Sequence, residues 1–180
     1  MYLGLKEFSA RKAAVNFNQE QLRRILGVAR ERGRRVYLAL NTVVREQELE
    51  RAAEALFWAE SLGVAGVILQ DLGVYELARR HFPRLALHAS TQMAVHNVAG
   101  LRLLRELGFQ RAILARELAL DEIRVLREAQ TGVELEVFVH GALCYSVSGL
   151  CLASWALTGR SGNRGDCAQV CRSLFRVDEG

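Results

Sequence analysis

The sequence predicts an α/β protein of the (β/α) TIM-barrel type, an incomplete barrel with about six parallel strands. Three observations predict it. Short β-like apolar runs alternate strictly with helical apolar stripes, which implies right-handed crossovers and a parallel sheet. About six strands and five intervening helices are countable, whereas a closed barrel needs eight strands. Strand after strand also ends in an amide, an imidazole or an ionic side chain, at the position where parallel α/β folds carry their sites.

The elements follow in order. Tyr2, Leu3 and Gly4 read as the end of a strand. Asn18 with Gln21 three residues later has the form of a capping box. Leu22, Ile25, Leu26 and Ala29 then keep helical spacing, and Gly33 is placed to end that helix. Residues 36–40 form a strand that finishes at Asn41. Leu49, Ala52, Ala53 and Leu56 mark the next helix, stopped by Gly63. Residues 64–69 are a strand ending at Gln70 and Asp71. A short helix over 74–81 is closed by Pro83. Residues 85–88 form a strand that opens into Ser90, Thr91 and Gln92, and a helix over 97–107 ends at Gly108. A strand over 111–115 leads to Arg116 and Glu117. The helix over 121–129 has Ala119 at its cap position, and Asp121 and Glu122 compensate through the helix dipole. Residues 133–139 are the last clear strand and deliver the chain to His140.

A chain of 180 residues that is 51% hydrophobic fills one core but not two large domains. Residues 1–140 are expected to form the partial barrel. Residues 141–180 are expected to pack on the same domain as a cysteine-rich segment. No run approaches the roughly 18 apolar residues of a membrane span, and the N-terminus lacks a signal-peptide pattern. A cytoplasmic location follows as an expectation, with thiols that stay free or bind metal. Net charge is +4 and is spread along the chain. That permits an RNA partner or an anionic small molecule and demands neither.

The strand ends supply the candidate site. His140, Glu136, Arg116 and Glu117 are the catalytic candidates, and Asn41, His88 and Gln92 the binding candidates. Arg160, Asn163 and Arg164 lie in a glycine-rich loop, where two guanidinium groups offer bidentate donors to carboxylate or phosphate. All four cysteines, Cys144, Cys151, Cys167 and Cys171, fall within residues 140–172. Thiolates so clustered suit an iron–sulfur cluster or zinc. The six-residue gap between the first two fits a structural zinc site poorly. Buried thiols and disulfides are the other readings of the same four residues. If helical, Cys167 and Cys171 would share one face. The sequence has no GxSxG elbow and no HExxH; Cys144 near His140 is a weak thiolate–imidazole pair.

Residues 136–144, then Ser148-Gly149-Leu150-Cys151, then 159–169 with Cys171 and Arg172, resemble the signature of the collagenase-like peptidase family U32. The resemblance extends to Tyr2-Leu3-Gly4, Asn41-Thr42, Ser90-Thr91-Gln92 and residues 114–118. It implies a 4Fe-4S cluster on the four cysteines, and a role in RNA or ubiquinone-type hydroxylation with prephenate as the hydroxyl source. A collagenase-like protease and a non-catalytic assembly partner of a homologous subunit are the alternatives it leaves. It also implies a preceding strand and helix and further barrel strands beyond Arg172, so the chain is expected to be a fragment or to be completed by another chain.

Overall fold

The computed structural model describes residues 1–10, 16–141 and 143–175. Ala142 and the last five residues of the cysteine-rich segment lie outside the described residues. Six strands form one parallel sheet in sequential order, and the sheet is not closed. They are β1 (Tyr2–Gly4), β2 (Tyr37–Leu40), β3 (Gly66–Leu69), β4 (Leu87–Ala89), β5 (Phe109–Ile113) and β6 (Glu134–Glu136). The crossover helices are α1 (Gln19–Glu31), α2 (Leu49–Leu62), α3 (Leu72–His81), α4 (Val98–Glu106) and α5 (Leu120–Glu128). A short α6 (Ala153–Thr158) lies in the cysteine segment.

Local chemistry explains the boundaries. Asn18 caps α1, and the reciprocal bond from Gln21 completes the capping box. Gly63 ends α2 at φ +67°, a left-handed conformation that costs glycine little. Asp71, read in the sequence as a strand-end polar residue, is the N-cap of α3. It accepts from the amides of Val74 and Val44, both at 3.0 Å. Asn97 caps α4 in the same way.

The sheet has two faces of different chemistry. Leu38, Leu40, Val67, Leu69, Leu87, Ala112 and Leu114 point to the helices and meet Leu22, Leu56, Val74 and Leu101 in one apolar core. The opposite face carries Tyr37, His88, Arg111 and Glu136. Period-two alternation assigns each set to its side. The sheet curls enough that the two edge strands meet across this inner face: the Tyr2 hydroxyl donates to Glu136 Oε2 at 2.5 Å.

The last strand is shorter than the sequence suggests. β6 stops at Glu136, and residues 137–141 leave the sheet. Its single partner, β5, runs out at Ile113, and the bond from Leu114 N to Glu136 O is the last of that ladder. Val137 and Val139 thus have strand propensity but no strand among the described residues to pair with. No described helix is long and apolar enough to cross a membrane.

Candidate functional site

The C-terminal ends of the strands enclose a cavity of about 450 Å³, lined by Asn41, Gln92, Arg116, Phe138, His140 and Ser148 among others. Four of these were singled out in the sequence: Asn41, Gln92, Arg116 and His140. Asn41 follows β2 directly, and its Oδ1 accepts from Ala10 N at 3.1 Å. Gln92 sits in a 3-10 turn, Thr91–Met93, after β4. The turn is tied down at both ends. Ser90 Oγ accepts from Gln92 N at 3.3 Å, and Thr91 Oγ1 donates to Leu114 O at 2.9 Å. Gln92 is only 9% exposed, and its Oε1 has no hydrogen-bond partner among the described residues.

The cysteine segment forms one wall of the cavity through Leu143, Ser148, Gly149 and Gly162. Three sequence-predicted site residues hold it there. Glu117 accepts from Ser148 N at 2.6 Å and from Ser148 Oγ at 3.2 Å. Burial works against its charged form, but these bonds and the nearby His96 prevail and lower its pKa. Asn163 Oδ1 accepts from Cys151 N at 2.9 Å and so positions a cysteine. Arg164 forms a forked pair with Glu48, at 2.5 and 2.8 Å, and donates to Val43 O. The fork depresses the Glu48 pKa to about 2, against the opposing effect of burial.

Arg160 and Arg164, read in the sequence as anion-binding groups, both have carboxylate partners within the chain. The Arg164 fork is committed to Glu48, while Arg160 pairs with Asp166 at 3.0 Å and lines no part of this cavity. An ionic side chain read from sequence cannot reveal that a carboxylate far along the chain already satisfies it.

His88 and Glu136, a binding and a catalytic candidate, lie on the inner face of the sheet and not on the cavity wall. His88 is 3% exposed and packs on the Tyr37 ring. Burial, then the charge of Arg111, holds its pKa down at about 4, so the imidazole is neutral. Arg111 stacks over the Tyr37 ring at 5.2 Å and pairs with Glu134 at 2.5 Å and Glu136 at 3.3 Å. Burial opposes the charge of Arg111, but Glu134 outweighs it. Tyr2 is pushed up to about 12 by burial and by its bond to Glu136. The sequence reading did not single out Arg111, Tyr37, Glu48 or Phe138. Polar residues at alternate strand positions were the available signal for the inner layer.

Cys144, Cys167 and Cys171 are exposed, Cys151 is partly buried, and all four are free thiols. Cys167 lies in an irregular stretch, and Cys171 in the 3-10 turn Val170–Arg172. Gln169, at φ +56°, separates them, so they do not share a helix face. Backbone amides approach two of the sulfurs. Ser146 N approaches Cys144 Sγ at 3.5 Å, and Gln169 N approaches Cys167 Sγ at 3.3 Å. The Ser146 side chain, followed by the amides of Ser154 and Ala153, lowers the Cys151 pKa. Among the described residues, no three His, Cys, Asp or Glu side chains converge in a group able to hold a metal ion.

An open parallel α/β arc, with its cavity at the strand ends and a cysteine segment as one wall, defines a TIM-barrel-like protein whose site is built on βα loops. The sequence profile of the family described as peptidase family U32 matches residues 1–180, and the chain belongs to that family. It is 41% identical, over 99% of its length, to the 23S rRNA 5-hydroxycytidine C2501 synthase of Escherichia coli (strain K12), of which it spans 27%. It is 34% identical over its whole length to the tRNA hydroxylation protein P of the same organism, spanning 40% of it. It is 30% identical, over 99% of its length, to a collagenase of Porphyromonas gingivalis (strain ATCC BAA-308 / W83), spanning 45% of it. The chain thus covers less than half of each of these relatives. The solved structure of the U32 peptidase Mk0906 superposes with a TM-score of 0.65 at 21% identity, covering 80% of this chain and 61% of that one; this likeness shows the fold.

Proposed function

We propose that this chain belongs to an RNA-hydroxylating protein, in which the strand-end cavity holds an RNA nucleotide and the cysteine segment carries a 4Fe-4S cluster. The observation that carries the reading is that the thiol-bearing segment is itself a wall of the cavity. Two of the relatives are named for RNA hydroxylation. Cys144, Cys151, Cys167 and Cys171 would have to draw together to hold the cluster, which would supply one-electron redox chemistry when bound. The hydroxyl of Ser146, ahead of the amides of Ser154 and Ala153, favours the thiolate state of Cys151. Arg116 lines the cavity and brings positive charge for a carboxylate hydroxyl donor such as prephenate. Glu117, through Ser148, and Glu48, through Arg164, keep the wall in place.

The collagenase-like reading meets a geometric objection in its serine form. Ser148, Glu117 and His96 lie together, but the carboxylate sits between the other two. The Ser148 hydroxyl donates to Glu117 and not to an imidazole, and Ser148 is fully buried. A serine nucleophile needs the base next to it.

The test is anaerobic purification followed by iron and sulfide analysis and visible absorption. About four iron and four sulfide per chain are expected. Nucleoside mass spectrometry of RNA from cells with and without the protein should show a lost hydroxypyrimidine. An iron-free, colourless protein removes the cluster from the reading. An unchanged nucleoside profile removes the RNA.

A further inference from the structure

We infer that a second cavity, beside the first, binds the adjoining nucleotide of the RNA strand, with Trp155 against its base and Lys6 and Arg45 on its phosphate. The inference rests on the RNA reading above and adds a path for the strand outside the strand-end cavity. The second cavity has a volume of about 330 Å³. It shares a wall with the first. Ser9, Thr42 and Ser161 line it, while their chain neighbours Ala10, Asn41 and Gly162 line the strand-end cavity. A strand that leaves one cavity over this wall enters the other.

The charges of the second cavity do not cancel. Its carboxylates already have guanidinium partners: Glu7 has Arg51 at 3.0 Å, Glu48 has the Arg164 fork, and Asp166 has Arg160 at 3.0 Å. Lys6 and Arg45 also line the cavity, are exposed, and form no ion pair among the described residues. Arg45 lies near enough to Glu48 to lower its pKa, but the fork occupies that carboxylate. Two surplus cations beside paired carboxylates attract an anion from outside, and such contacts to phosphate supply the sequence-independent part of RNA binding.

Trp155 adds the second element. It lies in α6, lines the cavity and is 57% exposed. Ser154 beside it is fully buried and ties α6 down: its hydroxyl donates to Arg160 O at 2.6 Å and accepts from Ala168 N at 2.9 Å. The helix thus turns its small polar residue inward and its indole outward. An indole left in water forgoes a large contribution to folding. No aromatic ring or cation among the described residues stacks on it. Every base has a π face, and a cationic groove with a stacking ring is how proteins follow a single strand without choosing its sequence. A free phosphate or small carboxylate would meet the cations and leave the ring unused.

The test uses the full chain and fluorescence anisotropy. The probes are a short oligouridine RNA and an abasic strand of equal length and charge. Trp155→Ala should bind oligouridine about tenfold more weakly and the abasic strand as tightly as wild type does. Lys6→Gln combined with Arg45→Gln should weaken both probes. It should also lower the slope of log affinity against log salt by about 1.4, the share of two phosphate contacts on a single strand. Thermal melting identifies which variants are folded, and Trp155→Leu keeps the apolar bulk without the ring if alanine does not fold. Equal loss of both probes in a folded Trp155 variant overturns the inference. So does unchanged RNA affinity in all the folded variants, which leaves the RNA reading standing. If the Lys6 and Arg45 substitutions abolish binding of inorganic phosphate and leave RNA affinity intact, the cavity belongs to a small anion and the inference is likewise overturned. Failure of the wild-type chain to bind either strand overturns the RNA reading and this inference with it.

Discussion

Arg164 and Glu48 are 116 residues apart and meet in a forked ion pair, with both terminal nitrogens of the guanidinium on the two carboxylate oxygens. The pair joins the cysteine segment to the 3-10 turn before α2. Glu48 is largely buried and also accepts from its own N-cap amide at Arg45. Because its folded pKa, about 2, lies below the ordinary 4.5, its contribution is complete above pH 4.5 and is lost as pH falls from there toward 2.

Glu48→Gln should therefore flatten the acid limb of the stability profile between pH 4.5 and 2. With solvent screening allowed for, the difference at neutral pH should be on the order of 2 kcal/mol. Urea titrations at several pH values measure it. Identical acid limbs for variant and wild type would show that the fork does not support the fold.

A second anchor is steric. At Gly165 the segment crosses the first strand's exit loop, and a Cβ there would lie 2.2 Å from Ser9 O. Gly165 also has φ +76°, which a residue with a side chain adopts only with strain. Gly165→Ala should cost about 2–4 kcal/mol or detach the segment. Limited proteolysis reads the two outcomes apart: early cleavage within residues 143–175 marks detachment. Unchanged stability together with unchanged cleavage would contradict the crossing.

The barrel scaffold was legible in the sequence because its signals are local. Asn18, Gly63 and Pro83 mark boundaries through backbone chemistry, and Leu22, Leu26 and Ala29 reveal a buried stripe by spacing alone. The overrun at 137–139 was not avoidable from local pattern, since it depends on where the neighbouring strand ends. The mouth was legible as a set of strand ends: Asn41, Gln92, Arg116 and His140 do line one cavity. The partners were not. Nothing near Arg164 announces Glu48, and nothing near Glu136 announces Tyr2 and Arg111. Those pairings follow from sheet curvature and from the path of the cysteine segment.

The inner face makes its own prediction. His88 is buried and neutral, with a pKa near 4, while the unfolded chain takes up the proton near 6.5. Between those values the unfolded state binds more protons, so stability must fall as pH drops from 6.5 to 4 and gain nothing further from this group below that. His88 should account for up to about 3 kcal/mol of this decline. His88→Gln removes the titration and should straighten the profile in that window. A decline of equal size in the variant would assign it to other groups.

Glu117 gives the most local test. Its carboxylate takes both the amide and the hydroxyl of Ser148, a residue held at φ +48° with no exposed surface. Charge-assisted bonds to a strained turn are what fix such a conformation. Glu117→Ala should remove about 1–2 kcal/mol from that turn, a value reduced for the partial exposure of the carboxylate. Hydrogen exchange should quicken at Ser148 and Gly149 while β3 and β4 keep their protection, because the core behind those strands is untouched. Glu117→Gln retains one acceptor and should fall between wild type and alanine. If exchange at Ser148 were the same in all three proteins, the turn would owe its shape to packing alone, and Glu117 would be free for chemistry in the cavity beside it.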